Sequence, residues 1–203
     1  KKFSKIKQVQ IVACGTSYNA GLVAKYWLED ISKIPCNVEI ASEYRYRNPI
    51  LLNDTLFVTL SQSGETADTV EALKTAKIIN NNIVTLCITN SAESSLTRLS
   101  DLIFLTHAGP EIGVASTKAF TTQLVALALL TCTIGKLKST INKKQEKEIV
   151  GGLKLLPGLI NEALLQEFQI KRLAKRFKDK NSVLFLGRGT MHAIAMEGAL
   201  KLK

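Results

Sequence analysis

Little in this chain suggests redox, metal or nucleophilic chemistry. Its four cysteines, Cys14, Cys36, Cys87 and Cys132, are widely spaced and sit in apolar contexts, with no Cys-x-x-Cys pair. Neither a zinc site nor a disulfide framework is indicated, and a reducing, cytoplasmic setting is expected. Histidine is confined to His107 and His192, so the sequence asks for no metal and no redox cofactor. The stretch Ser61-Gln62-Ser63-Gly64 lacks the Gly-x-Ser-x-Gly pattern of a serine nucleophile, and few bases are available to activate one. No apolar signal segment follows Lys1-Lys2-Phe3-Ser4-Lys5, because Gln8 and Gln10 interrupt it. The longest apolar run, Ala119–Ile134, is short for the roughly 20 residues of a bilayer span. It is also studded with threonines, so a buried helix at a subunit interface is expected and a membrane partner is not.

Acidic residues are scarce, at 17 Asp and Glu against 27 Lys and Arg, for a net charge of +10. Such an excess can signal nucleic-acid binding, but its position argues otherwise. Twelve Lys and Arg stand against five Asp and Glu between Lys136 and Lys180, so +7 of the excess lies there. That segment reads as polar-faced helix without a recognition motif, and no nucleic-acid partner is expected. A positive field still favours an anionic substrate.

What is present is an ordinary globular composition, 46% hydrophobic and 22% charged over 203 residues. That is enough for one α/β domain and more. The chain is organised around Thr55–Thr66. Thr55–Leu60 is a short β-branched run with the look of a buried strand. It stops at Ser61-Gln62-Ser63-Gly64, where helical spacing begins, with Val70, Leu73, Ile78 and Ile79 as the apolar face. In an open α/β sheet such a turn lies at the carboxyl end of a strand, where ligands bind. Free amides and the positive end of a helix dipole suit a phosphate there. Ser61, Ser63 and Thr66 add hydroxyls, and Gly64 permits close backbone approach. The competing reading is that Ser63 or Thr66 merely caps a helix.

The same logic repeats along the chain. Val9–Cys14 runs into Gly15-Thr16-Ser17 and then a helix carrying Ala20, Val23, Ala24, Trp27, Leu28 and Ile31. Cys36–Ala41, Asn82–Thr89 and Leu102–Thr106 are further strand candidates. Strands alternating with helices predict a three-layer, doubly wound parallel α/β sheet. Lys138–Lys180 reads as helix broken at Pro157-Gly158. Ser182–Leu186 then reads as a buried strand, followed by Gly187-Arg188-Gly189-Thr190 and a helix over Met191–Lys203. This predicts a first domain over 1–139, a helical connector over 140–180, and the first strand–turn–helix of a second, similar, truncated domain over 181–203.

The blocks Cys14–Ala20, Ser61–Asp68, Glu111–Gln123, Phe185–Gly189 and Glu197–Lys203 together resemble the sugar isomerase (SIS) family of phosphosugar-binding domains. Within it they resemble the isomerase part of the glutamine:fructose-6-phosphate aminotransferases. That resemblance implies a Rossmann-like SIS fold in which Ser61, Gln62, Ser63 and Thr66 hold a sugar phosphate. It gives Thr16 and Ser17 contacts to phosphate or sugar hydroxyls, and has Val114 and Ser116 line the sugar pocket, although Ser116 also reads as a helix cap. It implies conversion of fructose 6-phosphate to glucosamine 6-phosphate with ammonia from a separate glutaminase domain, in a homodimer. Glucose 6-phosphate and glucosamine 6-phosphate are the related ligands. The family's base is a glutamate that would directly follow Lys203. Glu197 and Lys201, at i,i+4 on one helical face, are the catalytic candidates within the chain, a surface ion pair being the alternative. Another SIS phosphosugar isomerase or deglycase, or a sugar-phosphate-sensing regulator, would share the cradle; the regulator would normally add a DNA-binding helix-turn-helix, and none is evident.

Overall fold

Five short strands supply the centre of the molecule, and all are parallel. The structure, a computed structural model, describes residues 3–113 and 116–203. The strands are β1 (Gln8–Ala13), β2 (Cys36–Ile40), β3 (Thr55–Ser61), β4 (Val84–Thr89) and β5 (Leu102–Leu105), ordered β2-β1-β3-β4-β5. The helices are α1 (Gly15–Asp30), α2 (Ala41–Tyr46), α3 (Ala67–Ile79), α4 (Ser95–Leu99), α5 (Lys118–Leu137), α6 (Lys143–Leu164), α7 (Glu167–Ala174) and α8 (Thr190–Leu202).

Every residue of β3 is buried, which explains its unbroken apolar and β-branched sequence. Its side chains alternate between two cores. Leu56, Val58 and Leu60 face α1 and α5, packing with Ala20, Ala24, Leu127 and Ile134. Phe57 faces the other side, among Tyr44 of α2, Leu73 of α3 and Leu96 of α4. At about 1.5–3 kcal/mol per large buried side chain, these two layers hold the sheet between its helices. The expected doubly wound α/β architecture is therefore present.

Four expectations need correction. Ile78 and Ile79 are 84% and 42% exposed; α3 instead buries Thr69, Val70, Ala72, Leu73 and Ala76. The small alanines let it approach the sheet, and the two isoleucines lie on its last, outward turn. Helix α5 is 20 residues long rather than sixteen, so by length and composition alone it passes for a membrane span. Its Ala126, Leu127, Leu130 and Ile134 nevertheless form one wall of the core.

Helix α6 runs through Pro157 without a break. A proline there removes one amide bond to the Leu153 carbonyl, and because α6 buries no residue that carbonyl is free to turn toward water. No strand forms at Ser182–Leu186, and Leu184 and Leu186 are exposed. An extended segment becomes a strand only where neighbouring backbone pairs with it. This one lies along α8 instead, with the Phe185 ring against Gly198, where a Cβ would come within 2.9 Å.

Candidate functional site

The strand order places a topological switch between β1 and β3. From β1 the chain goes outward to β2, then returns past β1 to β3 and continues to β4 and β5. The connecting helices accordingly lie on opposite faces, α1 with one core and α3 with the other. A crevice opens at the carboxyl ends of the two strands at such a point. Ala13 is in register with Leu60, so the turns 14–17 and 61–66 stand side by side.

Both helices that start there are uncapped. Cys14 and Thr66 are the N-cap residues of α1 and α3, and neither side chain accepts a capping bond. The starts of α2, α7 and α8 also lack a side-chain cap, whereas those of α4, α5 and α6 are closed. Ser94 forms a capping box at α4, Asn142 does so at α6, and the Glu111 carboxylate takes the Thr117 and Ala119 amides of α5 at 3.4 and 3.0 Å. Among the described residues, the first-turn amides of α1 and α3 therefore have no side-chain partner, at the end where the helix dipole is positive. No acidic residue lies in the first turn of α1. Asp68 lies in that of α3, where the Arg45 guanidinium pairs with it at 2.8 Å.

The turn after β3 is built mostly from its own side chains. Gly64 has φ +71°, and a Cβ on it would fall 2.2 Å from Ser94 Oγ, so only glycine fits. Its amide donates to Ser61 Oγ at 3.0 Å, and Ser61 Oγ and Thr66 Oγ1 share a hydrogen bond of 2.9 Å. Ser61, only 3% exposed, thus buttresses the turn from within rather than facing the crevice. Ser63 is exposed and accepts the Glu65 amide at 3.2 Å. The Gln62 backbone carbonyl takes the Asn90 amide and the Thr89 hydroxyl, and its side chain has no hydrogen-bond partner among the described residues. Glu65 reaches across to α4, accepting from the Ser95 amide and hydroxyl, both at 2.7 Å. Those donors hold its carboxyl below the usual carboxylate range.

The turn after β1 divides its two hydroxyls. Thr16 turns to α8: Lys201 Nζ donates to its Oγ1 at 2.8 Å, and Oγ1 donates to Glu197 Oε1 at 3.1 Å. Asn19 Nδ2 donates to the other Glu197 oxygen at 2.8 Å, and Lys201 Nζ stands 2.9 Å from Oε1. Glu197 is 5% exposed. The Glu197–Lys201 pair is thus not a free surface pair; it docks α8 on α1, one turn from the crevice. Ser17 takes a different partner, Gln123 of α5, whose Nε2 lies 3.0 Å from Ser17 Oγ.

Comparison with known proteins agrees with this geometry. The SIS domain model matches residues 2–132. The chain belongs to the SIS domain family. It is 56% identical over 201 residues to the glutamine–fructose-6-phosphate aminotransferase [isomerizing] of Pseudomonas putida, covering 99% of this chain and 33% of that protein. The chain thus spans about a third of the length of the curated relatives it matches. Among solved structures, the C-terminal domain of glucosamine-fructose-6-phosphate aminotransferase from Francisella tularensis superposes with TM-score 0.96 at 53% identity, over 100% of this chain and 57% of that one. A glucosamine-6-phosphate deaminase from Thermotoga maritima superposes with TM-score 0.76 at 27% identity, over 96% of this chain and 57% of that one.

Around the SIS crevice, sequence reasoning missed several residues. Asn90, at the end of β4, accepts from the Ala108 amide at 2.7 Å and donates to the Gly109 carbonyl at 2.7 Å, pinning the loop after β5. An open cleft of about 490 Å³ lies beside the crevice, lined by Gln62, Asn90, Ser91, His107, Gly109 and Pro110. Their position directly after β3, β4 and β5 was the available signal. Thr117, not Ser116, is the N-cap of α5, so the cap reading of Ser116 fails. Ser116 Oγ is buried with no partner among the described residues. Val114 lies outside the described residues.

Proposed function

We propose that the crevice between β1 and β3 binds the phosphate of a phosphorylated hexose, fructose 6-phosphate in the first instance. The observation that carries this reading is the pair of uncapped helix N-termini side by side at the switch point. Their amides need an acceptor that the protein does not supply, and a phosphate dianion supplies several. Ser17 and Ser63 add hydroxyl donors from either turn, and Gln62 adds a side chain whose backbone is anchored. Ser61 accepts the Gly64 amide and shares a hydrogen bond with Thr66 in which either hydroxyl can donate; when Ser61 donates, the Thr66 proton is left for the ligand. Ser61 and Thr66 act as a relay from turn to ligand. The Arg45–Asp68 pair neutralises the carboxylate in the first turn of α3.

The enzyme reading follows from the relatives' names and is part of the same proposal. The chain would be the sugar-phosphate-binding portion of a glutamine:fructose-6-phosphate aminotransferase. A glutaminase domain of the same protein would deliver ammonia, and glucosamine 6-phosphate would be the product. Glu197 and Lys201 lie one turn from the crevice, within reach of a sugar extending from the phosphate toward α8. There a carboxylate and an ammonium can exchange protons with the substrate's hydroxyl and carbonyl oxygens. Ser116, with Val114, would line the sugar's far side. We place the first domain at 1–139, the connector at 140–180 and the start of a second SIS unit at 181–203. A homodimer in the cytoplasm without membrane or nucleic-acid partners completes the reading.

Calorimetric titration tests it. Fructose 6-phosphate should bind at least tenfold more tightly than fructose, and Ser63→Ala should remove most of that difference. Equal affinity for the two sugars would overturn the proposal.

A further inference from the structure

Gln123 is the most anomalous residue in the core. It is 2% exposed on the sheet-facing side of α5, between Ala119 and Ala126–Leu127. Its Nε2 donates to Ser17 Oγ, while its Oε1 has no hydrogen-bond partner among the described residues. A buried amide oxygen without a partner is a net cost to the fold. A methionine would fill the same volume without it. Packing alone does not account for the amide; its contact with Ser17 does.

A serine hydroxyl carries one proton and two lone pairs. Ser17 is 8% exposed, and its oxygen is occupied by the Gln123 donor. Its proton is therefore directed elsewhere, and the opening beside it is the crevice between the β1 and β3 turns. An unconstrained hydroxyl would rotate among orientations, and some of them present a lone pair to an incoming anion. We propose that Gln123 is a positioning residue that fixes the Ser17 hydroxyl as an obligate donor to the phosphate of the bound sugar. This rests on the reading of the crevice as a phosphate site and deepens it. It also explains why a polar residue of α5, 106 positions away in sequence, is buried against the first turn of α1.

The test uses three variants and the fructose 6-phosphate dissociation constant, with thermal unfolding measured in parallel. Gln123→Met should weaken binding by about three- to tenfold, the range of one hydrogen bond, and leave the unfolding temperature unchanged or higher, because the orphan oxygen is gone. Ser17→Ala should weaken binding by a similar factor, and adding Gln123→Met to it should have no further effect. Gln123→Glu should weaken binding most on the alkaline side, since a carboxylate can only accept and takes the Ser17 proton. That defect should shrink as the pH is lowered from about 8 to about 6, because a buried carboxyl beside an anion protonates easily and can then donate to Ser17.

If Ser17→Ala leaves the affinity unchanged, the phosphate-site reading fails and the inference with it. If Ser17→Ala weakens binding but Gln123→Met does not, the site stands and the role of Gln123 is refuted. A Gln123→Met variant that loses stability and affinity together, additively with Ser17→Ala, makes Gln123 structural. A Gln123→Glu variant that binds normally at alkaline pH means that the amide accepts from Ser17, and overturns the proposal.

Discussion

Replacing Gly64 by alanine is the sharpest perturbation of the turn after β3. The new Cβ would lie 2.2 Å from Ser94 Oγ, 2.5 Å from Ser94 Cβ and 3.0 Å from Thr89 Oγ1. None of these is the end of a long flexible side chain, so the backbone has to shift. Three costs combine. Holding alanine at φ +71° costs about 1–2 kcal/mol. Overpacking against Ser94 costs about 1–3 kcal/mol. Displacing Ser94 also disturbs its capping box on α4, a further cost of about 1 kcal/mol. The sum is about 3–6 kcal/mol, or roughly 10–20 °C in unfolding temperature for a chain of this size. Urea and thermal denaturation measure it directly. The clash is specific to Ser94, so Ser94→Gly in the Gly64→Ala background should recover the overpacking share while Ser94→Gly alone destabilises. A Gly64→Ala variant within about 1 kcal/mol of the parent, or a double variant that recovers nothing, would refute the packing argument.

Three further outcomes are expected. Arg45→Ala leaves Asp68 unpaired at the start of α3 and should weaken fructose 6-phosphate binding by roughly two- to fivefold, an effect that fades at high salt; a salt-independent change would contradict the electrostatic account. Two carboxyls are held below their ordinary range, Glu65 by the Ser95 hydroxyl and amide, and Glu111 by the Ala119 and Thr117 donors, which outweigh the upward push of burial. Because the folded values lie below the unfolded ones, their stabilisation is present above about pH 4.5 and lost as the pH falls through the folded values; acid unfolding of Glu65→Gln/Glu111→Gln should be visibly less steep than the parent's. Burial, reinforced by the Glu29 carboxylate, pushes the Cys36 thiol up to about 12, so iodoacetamide at about pH 8 should spare it while alkylating the half-buried Cys14; comparable labelling of the two would overturn this.

The sheet was legible because its central strands are buried on both faces. Val9–Cys14 and Thr55–Leu60 are mostly apolar and β-branched runs, and their ends match β1 and β3 to within a residue. The position of the two hydroxyl-bearing turns followed, since both come straight after those strands. The division of labour within the turns was not legible. That Thr16 serves Glu197, 181 residues away, and Ser17 serves Gln123 depends on how α8 and α5 pack on α1, which no local pattern encodes. Ser61 reads as a ligand from its residue type; that its hydroxyl also holds the Gly64 amide and Thr66 inside the turn is not encoded locally. Ile78 and Ile79 fitted helical spacing yet face outward, and Pro157 sits inside a helix because that helix lies wholly on the surface. Ser182–Leu186 has a strand's composition, but composition supplies no pairing partner.

The central claim is that the uncapped starts of α1 and α3 hold a phosphate. A crystal soaked in fructose 6-phosphate tests it most directly. The account places the phosphate within hydrogen-bond distance of the first-turn amides of both helices and of the Ser17 and Ser63 hydroxyls. A phosphate bound elsewhere, or a sugar seated in the cleft of Asn90 and His107 with those amides still facing water, would contradict it.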